Sequence, residues 1–159
     1  CWKAVKILLE KDLLFEGSRE EISEVINMVR FRNNKAKYLV EAREKFLCAA
    51  QGLKDCLDLH SCDFEKREWL VRNVKGMSYK EASHFMRNAG MGGKLAILDR
   101  HILKNMKLLG VIDEVPQTIS RRRYLELESR LAAFSERIGI PMDHLDFVLW
   151  YREAGEVFK

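Results

Sequence analysis

Proline is scarce in this chain, at two in 159 residues, and glycine is modest at nine. That composition excludes a collagen-like or disordered polypeptide. Long apolar runs are missing too. Crossing a bilayer takes about 18 consecutive apolar residues. The stretch from Ala4 to Leu9 is short and interrupted by Lys6, so it reads neither as a membrane span nor as a signal peptide. Cysteine is sparse and unpaired in pattern. Cys1, Cys48, Cys56 and Cys62 make no Cys-x-x-Cys motif, and no paired histidines follow them. No metal site is expected, even with His60 near Cys56 and Cys62, because closed zinc sites show tighter pairing. The four closely spaced cysteines of an iron–sulfur loop are also lacking. Free thiols in a reducing cytosol are the expectation. Finally, no charge of one sign dominates: 28 basic against 24 acidic residues leave +4 and a pI of 8.9. This excludes an acidic solvating chain and permits a nucleic-acid partner without demanding one.

What remains is an ordinary globule, 47% hydrophobic and 33% charged, sized for one domain or two small lobes. It starts at Cys1 rather than Met, so a fragment is expected. Apolar residues recur at helical spacing throughout. Ile22, Val25, Ile26 and Val29 share one face; Tyr38, Leu39, Ala42, Phe46 and Leu47 follow in a second helix. Further helices are marked by Trp69, Leu70 and Val74, by Ala82, Phe85, Met86 and Ala89, and by Ile102, Leu103, Met106 and Leu109. Tyr124, Leu125, Leu127, Leu131 and Phe134 mark a sixth, and Leu145, Val148, Leu149 and Tyr151 a seventh. No stretch alternates long enough to suggest a sheet. The fold class is all-α. Residues 49–63 read as a loop or irregular helix.

The punctuation singles out one segment. Ser18 with Glu21 makes a capping box, and Gly90, Gly92 and Gly93 cluster where a helix stops. Between Val74 and Ala82, a helix ends, Gly76 supplies a residue at ease with positive φ, and Ser78 is an N-cap with Glu81 three residues on. The pattern is helix, tight hairpin, helix. The unpaired N–H groups of the second helix form a seat for phosphate, suited to gripping a DNA backbone without reading bases. Lys80 falls in the first turn of that helix. It is either a solvated, phosphate-contacting lysine or a nucleophile. A free lysine is almost wholly protonated at neutral pH, so a nucleophilic one needs surroundings that favour the neutral amine.

Farther on, Asp99 breaks the apolar run Ala96–Leu98 and precedes Ile102 and Leu103, the position of a helix N-cap. Alone it reads as structural. Beside an amine nucleophile, a fixed carboxylate suits cleavage of an N-glycosidic bond. It stabilises a developing oxocarbenium ion while the amine traps C1′ as a Schiff base.

Hairpin, lysine and later aspartate together resemble the helix-hairpin-helix DNA glycosylase superfamily. Lys80-Glu81-Ala82-Ser83-His84-Phe85-Met86-Arg87-Asn88 and Ala96-Ile97-Leu98-Asp99-Arg100-His101 resemble more closely its archaeal-type, or type 2, 8-oxoguanine DNA glycosylase/lyase family. Ser120-Arg121-Arg122-Arg123-Tyr124-Leu125-Glu126 and the ending from Leu149 to Lys159 are similar to that family as well. The resemblance covers roughly residues 20–159. It implies a two-lobed helical protein that removes 8-oxoguanine from double-stranded DNA and nicks the strand by β-elimination. It implies Lys80 as the Schiff-base nucleophile and Asp99 as the essential carboxylate. Phe31 and Trp150 are implied as the aromatic pair around the flipped base, with Lys159 and His84 in its recognition. Gly76, Ser78, Arg100 and His101 are implied as DNA-backbone contacts. No cofactor is required, though hairpin carbonyls suit a monovalent cation. Two departures stand out: Ser78 replaces a second hairpin glycine, and the family extends further upstream.

Arg30, Arg32, Lys35 and Lys37, then Arg100, Lys104 and Lys107, then Arg121, Arg122 and Arg123 form three basic clusters that read as backbone contacts. Residues 1–115 are expected to form a lobe holding the hairpin motif, at about 64–90, and the reactive pair. Residues 116–159 are expected to pack on the other lobe and close the base pocket. A monomer in the cytoplasm of a prokaryote, with the DNA and without a membrane partner, is expected. A glycosylase for another oxidised base and a non-catalytic helix-hairpin-helix DNA-binding module are the alternatives, with a plain helical interaction protein behind them.

Overall fold

The computed structural model describes residues 2–47 and 52–155, with the side chain of Ala154 excepted. Cys1, Cys48 and Lys159 lie outside the described residues. The described chain is helical, with no strand, as the periodicity requires. Its helices are α1 (Trp2–Glu10), α2 (Arg19–Val25), α3 (Arg32–Phe46), α4 (Leu53–Asp58), α5 (Asp63–Asn73), α6 (Tyr79–Asn88), α7 (Arg100–Leu108), α8 (Arg121–Ile138) and α9 (Met142–Ala154). Among these helices none is long and apolar enough to cross a membrane.

Two compact units result: Cys1–Leu59 with Arg72–Gly76, and His60–Val71 with Met77–Lys159. In the first, α1, α2 and α3 bury Ala4, Leu8, Ile22, Ile26 and Ala36 together. Ser18 caps α2 with a complete capping box: its hydroxyl accepts from Glu21 N, and the Glu21 carboxylate accepts from Ser18 N at 2.8 Å. The sequence placed Val29 on the α2 face. The helix ends at Val25, and Val29 follows in a turn, donating to the Ile26 carbonyl at 2.8 Å. The segment read as loop or irregular helix holds the short α4.

In the second unit, Tyr79 at the start of α6, Ile102, Leu103 and Met106 of α7, Tyr124, Leu127 and Leu131 of α8, and Leu145 and Leu149 of α9 form one core. This corrects the boundary expected between residues 115 and 116. The last two helices share their buried faces with α6 and α7, so the division falls near residue 60 instead. Helix α8 is delimited at both ends. The Ser120 hydroxyl accepts from Arg123 N at 3.3 Å, and Gly139, at φ +68°, ends it in the left-handed conformation that glycine adopts without penalty.

Candidate active site

Helix α5 ends at Asn73, whose carbonyl accepts from Lys45 Nζ at 2.9 Å. The chain then turns through Gly76 at φ +83°. A Cβ there would sit 2.6 Å from the Tyr38 ring, so both the backbone sign and the available space demand glycine. Ser78 follows in extended conformation as the N-cap of α6. The capping box expected here does not form as drawn. The Ser78 hydroxyl accepts no backbone N–H; it donates to the Glu81 carboxylate instead. Burial pushes the Glu81 carboxyl up, but the Ser78 hydroxyl leads the contacts that bring its net pKa below the ordinary value.

Lys80 is the second residue of α6. Its side chain is half-exposed, with Nζ 3.8 Å from Glu81 Oε1. Asp99 is the N-cap of α7, and its Oδ1 accepts from Ile102 N at 2.9 Å. The two residues line one cleft of about 800 Å³, together with Arg100, Val115, Pro116 and Ile119. The amine and carboxylate singled out from sequence therefore meet at the same opening.

The connector that delivers Asp99 is unusual. Leu95, Ala96, Ile97 and Leu98 are non-helical yet almost fully buried. Buried backbone polar groups need partners, and side chains from distant elements supply them. Ala96 N donates to Glu128 Oε1 at 2.8 Å, and the Ala96 carbonyl accepts from the Tyr124 hydroxyl at 2.7 Å. Leu98 N donates to that same hydroxyl at 3.3 Å. The Leu95 carbonyl accepts from Arg87 Nη2 at 3.0 Å, while Arg87 Nη1 pairs with the buried Asp146 at 3.1 Å. Burial pushes the Tyr124 hydroxyl up to about 12, which keeps it a neutral donor. Glu128 is in turn held by Arg67 in a two-pronged pair at 2.5 and 2.7 Å.

These supporting residues were not singled out from the sequence. A signal exists for two of them. Glu128 lies on the same face of α8 as Tyr124 and Leu131, and Arg67 lies one turn before Leu70 on α5; each puts a charge on an apolar stripe. That signal marks burial without naming the partner.

The remaining candidates are scattered. His84 is half-buried one turn beyond Lys80 on α6. Arg100 and His101 are exposed in the first turn of α7. Phe31, in the first unit, is 65% exposed at φ +61°, with the Arg30 guanidinium 4.8 Å from its ring centroid. Trp150 is half-buried on α9 in the second unit. Lys159 falls outside the described residues. The basic clusters are partly spent within the protein. Arg121 donates to the Tyr79 hydroxyl at 2.7 Å and pairs with Glu68 at 3.0 Å; Arg123 pairs with Glu126 at 2.7 Å and Lys104 with Glu153 at 2.6 Å. Among the described residues, no group of three or more His, Cys, Asp or Glu side chains could hold a metal ion.

A hairpin between two helices, a lysine in the first turn after it and a capping carboxylate across a cleft define a helix-hairpin-helix DNA glycosylase fold. The profile of the 8-oxoguanine DNA glycosylase family matches residues 1–140, and the chain belongs to that family. It is 52% identical over 160 residues to the 8-oxoguanine DNA glycosylase/AP lyase of Fusobacterium nucleatum, covering all of this chain and 74% of that protein. The crystal structure of the Methanocaldococcus jannaschii 8-oxoguanine DNA glycosylase superposes with a TM-score of 0.83 at 40% identity, over 98% of this chain and 71% of that one. A second structure of the Methanocaldococcus jannaschii enzyme, in complex with a 15mer DNA containing 8-oxoguanine, also gives 0.83, at 38% identity over 96% of this chain and 73% of that one.

Proposed function

We propose that the chain removes 8-oxoguanine from DNA and then nicks the strand as an abasic-site lyase. The observation that carries this is the shared cleft of Lys80 and Asp99. The neutral Lys80 amine attacks C1′ as the N-glycosidic bond breaks, and the base departs with the bonding electrons and takes up a proton. The Asp99 carboxylate, fixed by the Ile102 amide, faces the positive charge that grows on the sugar. Ring opening gives the Schiff base on Lys80. Loss of a C2′ proton expels the 3′ phosphate, and water then hydrolyses the imine to release the lysine.

Recognition divides in the same reading. Gly76 and Ser78 of the hairpin, with Arg100 and His101 at the start of α7, contact the DNA backbone. The flipped base stacks against the exposed Phe31 ring and Trp150, with His84 and Lys159 reading its edge. The chemistry calls for no redox cofactor, and the hairpin carbonyls suit a monovalent cation. A monomer acting on damaged duplex DNA in the cytoplasm completes the proposal.

Borohydride reduction in the presence of duplex DNA carrying 8-oxoguanine tests it. A covalent protein–DNA adduct is expected from the parent and none from Lys80→Gln. Adducts that form only with another oxidised base would reassign the substrate. No adduct with any damaged or abasic duplex would leave a DNA-binding module without catalysis.

A further inference from the structure

Arg67 and Glu128 are an ion pair sealed inside the second unit, 1% and 4% exposed. The guanidinium is hemmed by rings, with centroids of Tyr79, Tyr124 and Phe64 at 5.2, 5.6 and 5.6 Å. A buried pair of this kind seldom stabilises a fold more than apolar side chains of equal volume would. Its position in the fold accounts for it better. Arg67 Nη1 donates to the Ser83 hydroxyl at 3.2 Å, and Ser83 lies one turn after Lys80 on α6. On the other side of the pair, Glu128 Oε1 accepts from Ala96 N, three residues before Asp99. One ion pair thus grips both the helix that carries the amine and the connector that carries the carboxylate.

We infer that Arg67 and Glu128 are positioning residues that set Lys80 against Asp99 for the reaction, a role that rests on the function proposed above. Neither touches the cleft. They act by fixing the separation of α6 and the connector near Ala96, while the Arg87 guanidinium of α6 holds the upstream end of that connector at the Leu95 carbonyl. Misplacing a reacting group by about 1 Å can cost a hundred-fold in rate, so loss of the pair should be felt in the chemical step and not in DNA binding.

The test is single-turnover β-elimination on abasic duplex, read beside the Kd for that duplex. In the double variant R67M/E128L the buried charges are replaced together by apolar side chains. The rate constant is expected to fall about ten-fold or more, with Kd and helix content unchanged. R67M/E128Q, which restores an acceptor for Ala96 N, should recover part of the rate. A full rate in R67M/E128L, or an equal loss in rate and in Kd, would overturn the inference. Should that variant not fold, Ser83→Ala removes the Arg67 tie to α6 together with the Ser83 contact to the Tyr124 hydroxyl, and an unchanged rate there also overturns the inference. A parent with no lyase activity would count against the proposed function instead. Amide exchange would still judge the pair in that case: Ala96 N must exchange faster in Ser83→Ala or R67M/E128Q than in the parent, and unchanged exchange rejects the coupling.

Discussion

Asp99 has a capping contact and, in the proposed reaction, a chemical part, and substitutions can separate the two. Its Oδ1 caps α7, and its charge faces the cleft. Asparagine caps a helix about as well as aspartate does. Asp99→Asn should therefore keep the parent's thermal midpoint while borohydride trapping collapses. Asp99→Ala should lose the cap as well, at about 1 kcal/mol of unfolding free energy. If Asp99→Asn traps DNA as fast as the parent, the carboxylate has no part in the chemistry. Gly76 is a harsher site. Alanine there meets both the positive φ and the Tyr38 ring, so Gly76→Ala should cost more than the roughly 1–2 kcal/mol of the backbone conformation alone; urea denaturation would show it. Tyr124 carries a pH signature. Its folded pKa of about 12 lies above the ordinary 10.0, so the stability linked to it is whole below pH 10.0 and is lost as pH rises through about 12. Tyr124→Phe should flatten that alkaline decline in a denaturation series.

At the scale of elements, carboxylates at the helix ends contribute to the acid response. Glu21 lies below the ordinary 4.5 because the Ser18 backbone and hydroxyl donate to it; Glu153 does so chiefly through the Lys104 ammonium. Depressed carboxylates lend stability above pH 4.5 and lose it as pH falls through their folded values. The thermal midpoint should be level between pH 4.5 and the alkaline decline set by Tyr124, and should fall below pH 4.5, less steeply in Glu21→Gln. A midpoint that rises on acidification would reject the assignment. Elements of this kind were legible in the sequence because they are local. The Ser18–Glu21 box, the Asp99 cap and the apolar stripes of α6, α7 and α8 each lie within a few residues of chain. So does the pairing of a glycine hairpin with Lys80. Interactions without local periodicity were not legible. Arg67 and Glu128 are sixty-one positions apart, and nothing near either names the other. Ser78 was misjudged for a related reason: a serine three residues before a glutamate can accept from the backbone or donate to the carboxylate, and the spacing is the same for both.

For the molecule as a whole, the surplus of +4 overstates nothing and says little by itself. What matters is which cations the protein has not already engaged. Arg123 leans on Glu126, whereas Arg100 stands exposed at the mouth of the cleft. Duplex affinity should fall linearly with salt on logarithmic axes. Arg100→Ser should lower that slope by about one contact, and Arg123→Ser should leave it almost unchanged. Equal effects would show that internal pairing does not decide which residues meet phosphate. The two units should also differ in resistance to opening, since the second buries the larger core. Native-state hydrogen exchange should find the slowest amides in α7 and α8.

The buried connector from Leu95 to Leu98 has a consequence for anyone borrowing this site. Its path is written in Arg87, Tyr124 and Glu128, which lie outside it in the chain. Grafting residues 95–99 onto another scaffold would transfer apolar side chains and leave the instructions behind. A workable transplant is a discontinuous one, in which three receptor side chains travel with the loop they address.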